Sequence, residues 1–288
     1  MTAVFKREFK ACLHNAYGCF FAAAVLLFCG IMVVLQNLLS GYPNLEYALL
    51  SGEYVFLLAI PLFVARAAAE DRRGGMELFY RSLPVTTASV VVGKYLAMLS
   101  ILAIPCAILG VYPLIFSLFG EVNLVGAYVG LLQFFLLGAA LLAVSRFVCS
   151  LVDNPIVGAV LGVVACVALY FMPLLAYIFP ASPLVSYLAF LILGLAVAAC
   201  VYVGTRRLPV TLAVAVLLIL PSTLLLVLSK DLITVAFPAF LESLSPFAAF
   251  ESGTSMGIFR VDSLIRLLTY PPLFLFLTTL WVDGKYRN

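Results

Sequence analysis

Two apolar stretches, NAYGCFFAAAVLLFCGIMVVLQNLL (15–39) and YLAMLSILAIPCAILGVYPLIFSLF (95–119), contain no Asp, Glu, Lys or Arg. Each exceeds the roughly 20 residues a helix needs to cross about 30 Å of hydrocarbon. In lipid every backbone N–H and C=O must be paired within the protein, and runs of this length fit helices rather than barrel strands. Composition agrees: the 288 residues are 65% apolar and 10% charged, whereas a soluble domain is about half apolar and a quarter charged. The sequence predicts an all-α polytopic membrane protein forming a single transmembrane domain over 1–288.

The pattern predicts about eight transmembrane helices, at 17–38, 47–67, 90–119, 125–148, 156–179, 184–204, 209–228 and 267–282. They read as a six-span core plus an extra pair; the competing form has six spans and one re-entrant pair. The third is long for one crossing, so it tilts or kinks at Pro105 and Pro113. Short turns at 180–183 and 205–209 join the fifth to seventh spans.

Basic residues in short loops set orientation. With the N-terminus inside, the inner segments hold thirteen: Lys6, Arg7, Lys10, Arg66, Arg72, Arg73, Arg81, Lys94, Arg146, Arg206, Arg207, Lys285 and Arg287. The outer ones hold three, Lys230, Arg260 and Arg266. This bias predicts that both termini are cytoplasmic. The long outer region, 229–266, mixes short apolar pieces with Pro238, Pro246, Gly253 and Gly257 and predicts short interfacial or re-entrant helices. The net charge of +3 is small and gives no reason to expect a nucleic-acid partner.

Several chemistries lack their residues. The seven cysteines form no C-x-x-C pair and none lies in the outer region, so neither a disulfide framework nor a zinc site is implied. FKREFKACLHN (5–15) is an amphipathic lead-in to a run long enough to span, not the opening of a cleavable signal. One histidine, His14, cannot build a His-based metal site, and it reads as an interfacial residue. No G-x-x-x-x-G-K-[ST] phosphate loop and no G-x-S-x-G elbow occurs. The expectation is a chain without a catalytic site or cofactor of its own. Ion-coupled transport needs ionisable groups at membrane depth. Glu53 is the candidate, read as an outer-interface residue with a proton relay as the alternative. Arg66 and Arg146, near cytoplasmic span ends, are expected to snorkel.

Against this background the stretch AAAEDRRGGMELFYRSLP (67–84) is unusual, with six charges between Glu70 and Arg81. Met76, Phe79, Tyr80 and Leu83 follow i, i+3, i+4, i+7, one face of an amphipathic helix. Glu77 and Arg81 form an i,i+4 pair in the favourable order, Pro84 ends the helix, and Gly74-Gly75 breaks the backbone before it. Glu70, Asp71, Arg72 and Arg73 sit at that turn. A loop resting on anionic headgroups needs only the basic residues; the three acids Glu70, Asp71 and Glu77 leave that reading and a surface that docks a protein partner both open. At the N-terminus, Phe5, Phe9, Cys12 and Leu13 predict one apolar face of an interfacial helix, with Lys6, Arg7, Glu8 and Lys10 around the rest.

Three stretches then resemble one family, the permease subunits of type-2 ABC transporters in their gliding-motility-like branch. They are VFKREFKACLHNAYGCFF (4–21), AAAEDRRGGMELFYRSLPVTTASVVVGKYLA (67–97) and FAAFESGTSMGIFRVDSLIRLLTY (247–270) with the closing DGKYRN. The family reads E-E-R-[RK]-x-G-T-[LM]-E-L-L-x-x-x-P-[VI], then G-K-[YF]. This chain departs in Gly75, in Tyr80-Arg81-Ser82 and in extra residues near 180–236. The resemblance implies a bacterial plasma (inner) membrane exporter subunit, pairing with a second permease subunit, identical or not, and with soluble ABC ATPase subunits that carry ATP and Mg. It implies that 70–84 is the coupling helix in a cleft of the ATPase and that 3–14, with Phe5, Lys6, Arg7, Phe9 and Lys10, is the connecting helix. It further implies that CSLVDN (149–154) is a second cytoplasmic contact and that 232–262 caps the exit with external helices.

Overall fold

The computed structural model of the protein describes residues 2–41, 44–73, 86–118, 121–178, 182–205, 230–254 and 260–287, with 216, 220 and 223. Its helices are α1 (Thr2–His14), α2 (Ala16–Val33, continuing as a π-helical turn Val34–Leu39), α3 (Glu46–Gly52), α4 (Tyr54–Arg73), α5 (Thr87–Leu109), α6 (Tyr112–Phe116), α7 (Leu124–Ser150), α8 (Pro155–Ile178), α9 (Pro183–Thr205), α10 (Lys230–Ser243), α11 (Pro246–Thr254) and α12 (Val261–Arg287). No strand occurs among the described residues. The chain is all-α, and its long apolar helices are those of a membrane-embedded protein.

Five stretches are long and apolar enough to cross a membrane: Ala16–Leu39, Thr87–Phe116, Leu124–Ser150, Pro155–Leu175 and Val261–Gly284. The α3–α4 pair makes a sixth if its two bent halves form one crossing. Of the extra pair expected from sequence, 184–204 corresponds to α9, whose apolar part Pro183–Ile192 is shorter, and 209–228 lies outside the described residues apart from 216, 220 and 223.

The chain divides into two compact units, residues 1–170 with 246–288, and residues 171–245. In the larger one α7 is the axis, packing against α3, α4, α5, α6, α11 and α12. Its start is fixed by Asn123, whose Oδ1 accepts the Gly126 N–H at 3.1 Å, the N-cap arrangement. Phe134, Leu137, Leu141 and Leu142 are fully buried. Lipid is as apolar as leucine, so association rests on close contact rather than on escape from water. Small residues supply that contact: a Cβ on Gly138 would lie 2.6 Å from Leu102 Cδ2 of α5.

α2 shows how an all-round apolar helix chooses a face. Phe21, Val25, Cys29 and Val33 recur every fourth residue and are buried, while Phe20 and Leu27 point outward, 77% and 67% exposed. The helix of the third span is interrupted, but not at Pro105, through which α5 continues. The break falls at Gly110–Val111, and Pro113 sits in the first turn of α6, where its missing N–H leaves no partner unsatisfied.

The smaller unit comprises α8 from residue 171 onward, α9 and α10. Phe237 and Leu241 of α10 pack with Met172, Ala189 and Phe190, and the Phe190 and Phe237 rings meet edge to face at 5.1 Å. The outer region read from sequence as short helices contains α10 and α11.

Candidate functional site

The last turn of α4 holds Glu70, Asp71, Arg72 and Arg73. Successive helical residues point about 100° apart, so this turn reaches several neighbours at once. The Glu70 carboxylate accepts a hydrogen bond from Asn15 Nδ2, at the α1–α2 junction. Asp71 pairs with Lys94 of α5 at 2.6 Å, their side chains 21% and 10% exposed. Arg72 Nη2 donates to the Val152 carbonyl at 2.7 Å, just past α7. Arg73 is exposed. The Arg66–Glu70 pair, 3.8 Å apart on the exposed side of α4, adds little by comparison.

Around this turn the ends of other helices are tied together. Thr87, the first residue of α5, hydrogen-bonds Asp283 of α12, and Trp281 Nε1 donates to the Ser150 carbonyl at 3.2 Å. Residues 149–154 thus receive both Arg72 and Trp281. Arg146 does not snorkel outward as expected from its place near a span end. Asp71, Glu8, Cys149 and Cys12 surround it electrostatically, and its Nε is sealed from solvent. An acid within reach holds a guanidinium inward more strongly than distant headgroups draw it out. Arg66, exposed, behaves as expected.

α1 packs on α5 and α2. Its buried side is Val4, Glu8 and Cys12, spaced by four, with Phe5 and Phe9 half-buried and stacked 5.9 Å apart. Leu13, expected on the apolar face, is 43% exposed, and Glu8, expected on the polar one, is 9% exposed. Lys6, Arg7 and Lys10 face outward. Burial pushes the Cys12 thiol up to about 11, which keeps it neutral and unreactive. The amphipathic helix predicted over 76–83, with Gly74, Gly75, Met76, Glu77, Phe79, Tyr80, Arg81, Leu83 and Pro84, lies outside the described residues. What is described is its mount: α4, which enters 74–85, and α5, which leaves it.

A second polar group lies at the far end of α4. Glu53 occupies the 47° bend between α3 and α4, where sequence suggested one continuous span. Gly52 permits the bend's close packing, since a Cβ there would lie 3.1 Å from Cys29 Sγ. Glu53 is 1% exposed, with Oε2 unpartnered, and hydrogen-bonds Glu251 of α11. It is therefore covered by protein on all sides. One turn along α11, Thr254 Oγ1 donates to Gln133 Oε1 at 2.8 Å, and Gln133 is fully buried in α7. Glu251, Gln133 and Thr254 escaped the sequence reading. Gln133 had a signal, as the one strongly polar side chain between Leu124 and Val144; Glu251 had none, because its partner lies 198 positions away, at residue 53. Among the described residues no group of three His, Cys, Asp or Glu side chains is placed to hold a metal.

Compared with known protein families and with curated proteins, the chain matches no family model and no curated relative.

Proposed function

We propose that this chain is the permease subunit of an ATP-driven ABC exporter, resident in a bacterial plasma membrane with both termini in the cytoplasm. It has a six-span core with an extra pair, about eight crossings in all. It pairs with a second permease subunit and couples ATP hydrolysis on a separate ABC ATPase to translocation; ATP and Mg sit on that partner. The observation that carries the reading is the bracing on either side of 74–85. Asp71 at the end of α4 and Lys94 two turns into α5 meet at 2.6 Å, so a push on the intervening residues moves both helices together. Glu70–Asn15 extends the brace to α1 and α2, and Arg72–Val152 extends it to α7. A docking element that transmits force needs a stiff mount of this kind.

The test is co-purification with the ATPase encoded beside the gene. The wild-type chain is expected to retain the ATPase in mild detergent, and Glu77→Arg with Arg81→Glu to lose it. Retention by both would remove 76–83 as the docking surface. Failure of the wild type to retain any ATPase, with ATP-independent flux in vesicles, would remove the pump.

One observation favours a second reading, an ion-coupled secondary transporter or channel: Glu53 is a buried carboxyl bonded to another carboxyl, the kind of group that carries a coupled proton. Under it, Glu53→Gln abolishes flux driven by a proton gradient in vesicles. Under the pump reading the variant keeps ATP-driven flux.

A further inference from the structure

Beside α1 runs an apolar groove of about 400 Å³, walled by Thr2 and Phe5 of α1 and by Leu96, Leu99 and Ala103 of α5, with Phe135 of α7 at its floor. Ser100 also lines it, but its hydroxyl is spent on the Leu96 carbonyl at 2.8 Å, so the wall offers no free polar group there. The α5 wall belongs to a candidate membrane span, and the groove is open to the surroundings.

α1 and α5 run antiparallel. Val4 and Phe5 lie against Gly93, where a Cβ would meet Val4 Cγ1 at 3.1 Å, while Thr2 and Phe5 face residues further along α5. Continuing along α1 from Phe5 therefore leads back toward the start of α5 and the charged end of the bundle. Lys6 and Lys10 come next on that path, one turn apart and both exposed. Glu8, the acid between them, is turned inward and 9% exposed. The groove from Leu96 to Ala103 extends about 10 Å along the helix. An apolar channel with two exposed cations further along the same helix, toward the charged end, has the polarity of a single lipid in the leaflet at that end.

We propose that the α1–α5 groove is a binding site for one anionic phospholipid. An acyl chain lies along Leu96, Leu99 and Ala103, and the phosphate is held by Lys6 and Lys10. The site does not depend on the pump assignment. It gives α1 a second anchor besides its protein contacts: the helix is clamped to α5 partly through a lipid that both touch.

The test is native mass spectrometry of the full chain in detergent, with added dioleoyl phosphatidylglycerol or dioleoyl phosphatidylcholine. The two lipids share tails and differ in headgroup charge. Phosphatidylglycerol is expected to be retained over phosphatidylcholine by about fivefold for each lysine engaged. Lys6→Gln with Lys10→Gln should erase that preference, and arginine at both positions should keep it. Ala103→Phe, which fills the groove, should lower retention of both lipids; Ser100→Leu serves the same purpose if that variant does not fold. Equal retention of the two lipids by the wild-type chain, a preference that survives the double glutamine change, or retention unaffected by filling the groove would each overturn the site. So would a dimer in the spectrum that Ala103→Phe dissociates, since a second copy would then be what covers the groove.

Discussion

Lys94 and Asp71 illustrate what a charge inside an apolar bundle requires. Both are largely withdrawn from water, with side-chain exposures of 10% and 21%, and the partner at 2.6 Å offsets part of that cost. Removing one partner strands the other. Lys94→Met is expected to lower stability toward denaturant, measured in detergent micelles, by about 3 kcal/mol. Adding Asp71→Asn should restore part of that loss, since the stranded carboxylate is removed although Arg146 loses one of its nearby acids. If the double variant is as unstable as the single one, the pair is not coupled. The sequence could name both residues as charged and near the inner boundary. It could not pair them, because they sit 23 positions apart on two different helices. Arg146 and Glu8 were missed for the same reason: periodicity places a side chain on a helix face but does not say which face meets an opposite charge.

At the scale of the element, α1 depends on an approach that only a glycine allows. Gly93 is buried against Val4 and the Phe5 backbone. A β-branched side chain is stiff there and cannot swing clear of the equally stiff Val4. Gly93→Val is expected to cost about 1–3 kcal/mol and to loosen α1, so that limited trypsin cuts at Lys6, Arg7 or Lys10 in the variant before it does so in the wild type. Unchanged cleavage would mean that α1 is held elsewhere. The helices themselves were legible: α1 was read as 3–14 and found at Thr2–His14, and the fourth span as 125–148 and found at Leu124–Ser150. The limits of the fourth span follow from apolar run length and from flanking residues such as Asn123, whereas those of α1 came with the family resemblance. The bend at Glu53 was not legible. A run of apolar residues with one acid reads as a continuous span with a polar edge, and only the packing of Gly52 against Cys29 and Phe134, together with Glu251 across from it, shows why the helix breaks there.

At the scale of the whole molecule, the larger unit brings the last residues of α12 back to the start of α5 through Thr87 and Asp283, and ties α1 to the same end through Asn15 and Glu70. The start of α2 and the last turns of α12 therefore lie at one end of this unit. From the thirteen-to-three distribution of basic residues, that side is expected to be the cytoplasm. Green fluorescent protein fused after Asn288 is then expected to fluoresce, and alkaline phosphatase inserted after Gly41 to be active. Insertion after Thr205 separates the eight-crossing form from the six-crossing one. If α9 and the residues after it form a crossing pair, Arg206 and Arg207 lie in the cytoplasm and phosphatase placed beside them stays silent. If that region returns without crossing, both arginines lie outside and the enzyme is active. Two adjacent arginines strongly resist transfer across the membrane, and this favours the silent outcome. An active enzyme after Thr205 with a fluorescent C-terminus would leave six crossings and make Arg206 and Arg207 exceptions to the charge rule. An active phosphatase at Asn288 would invert the whole arrangement and, with it, the assignment of α1 and 74–85 to the side where an ATPase could reach them.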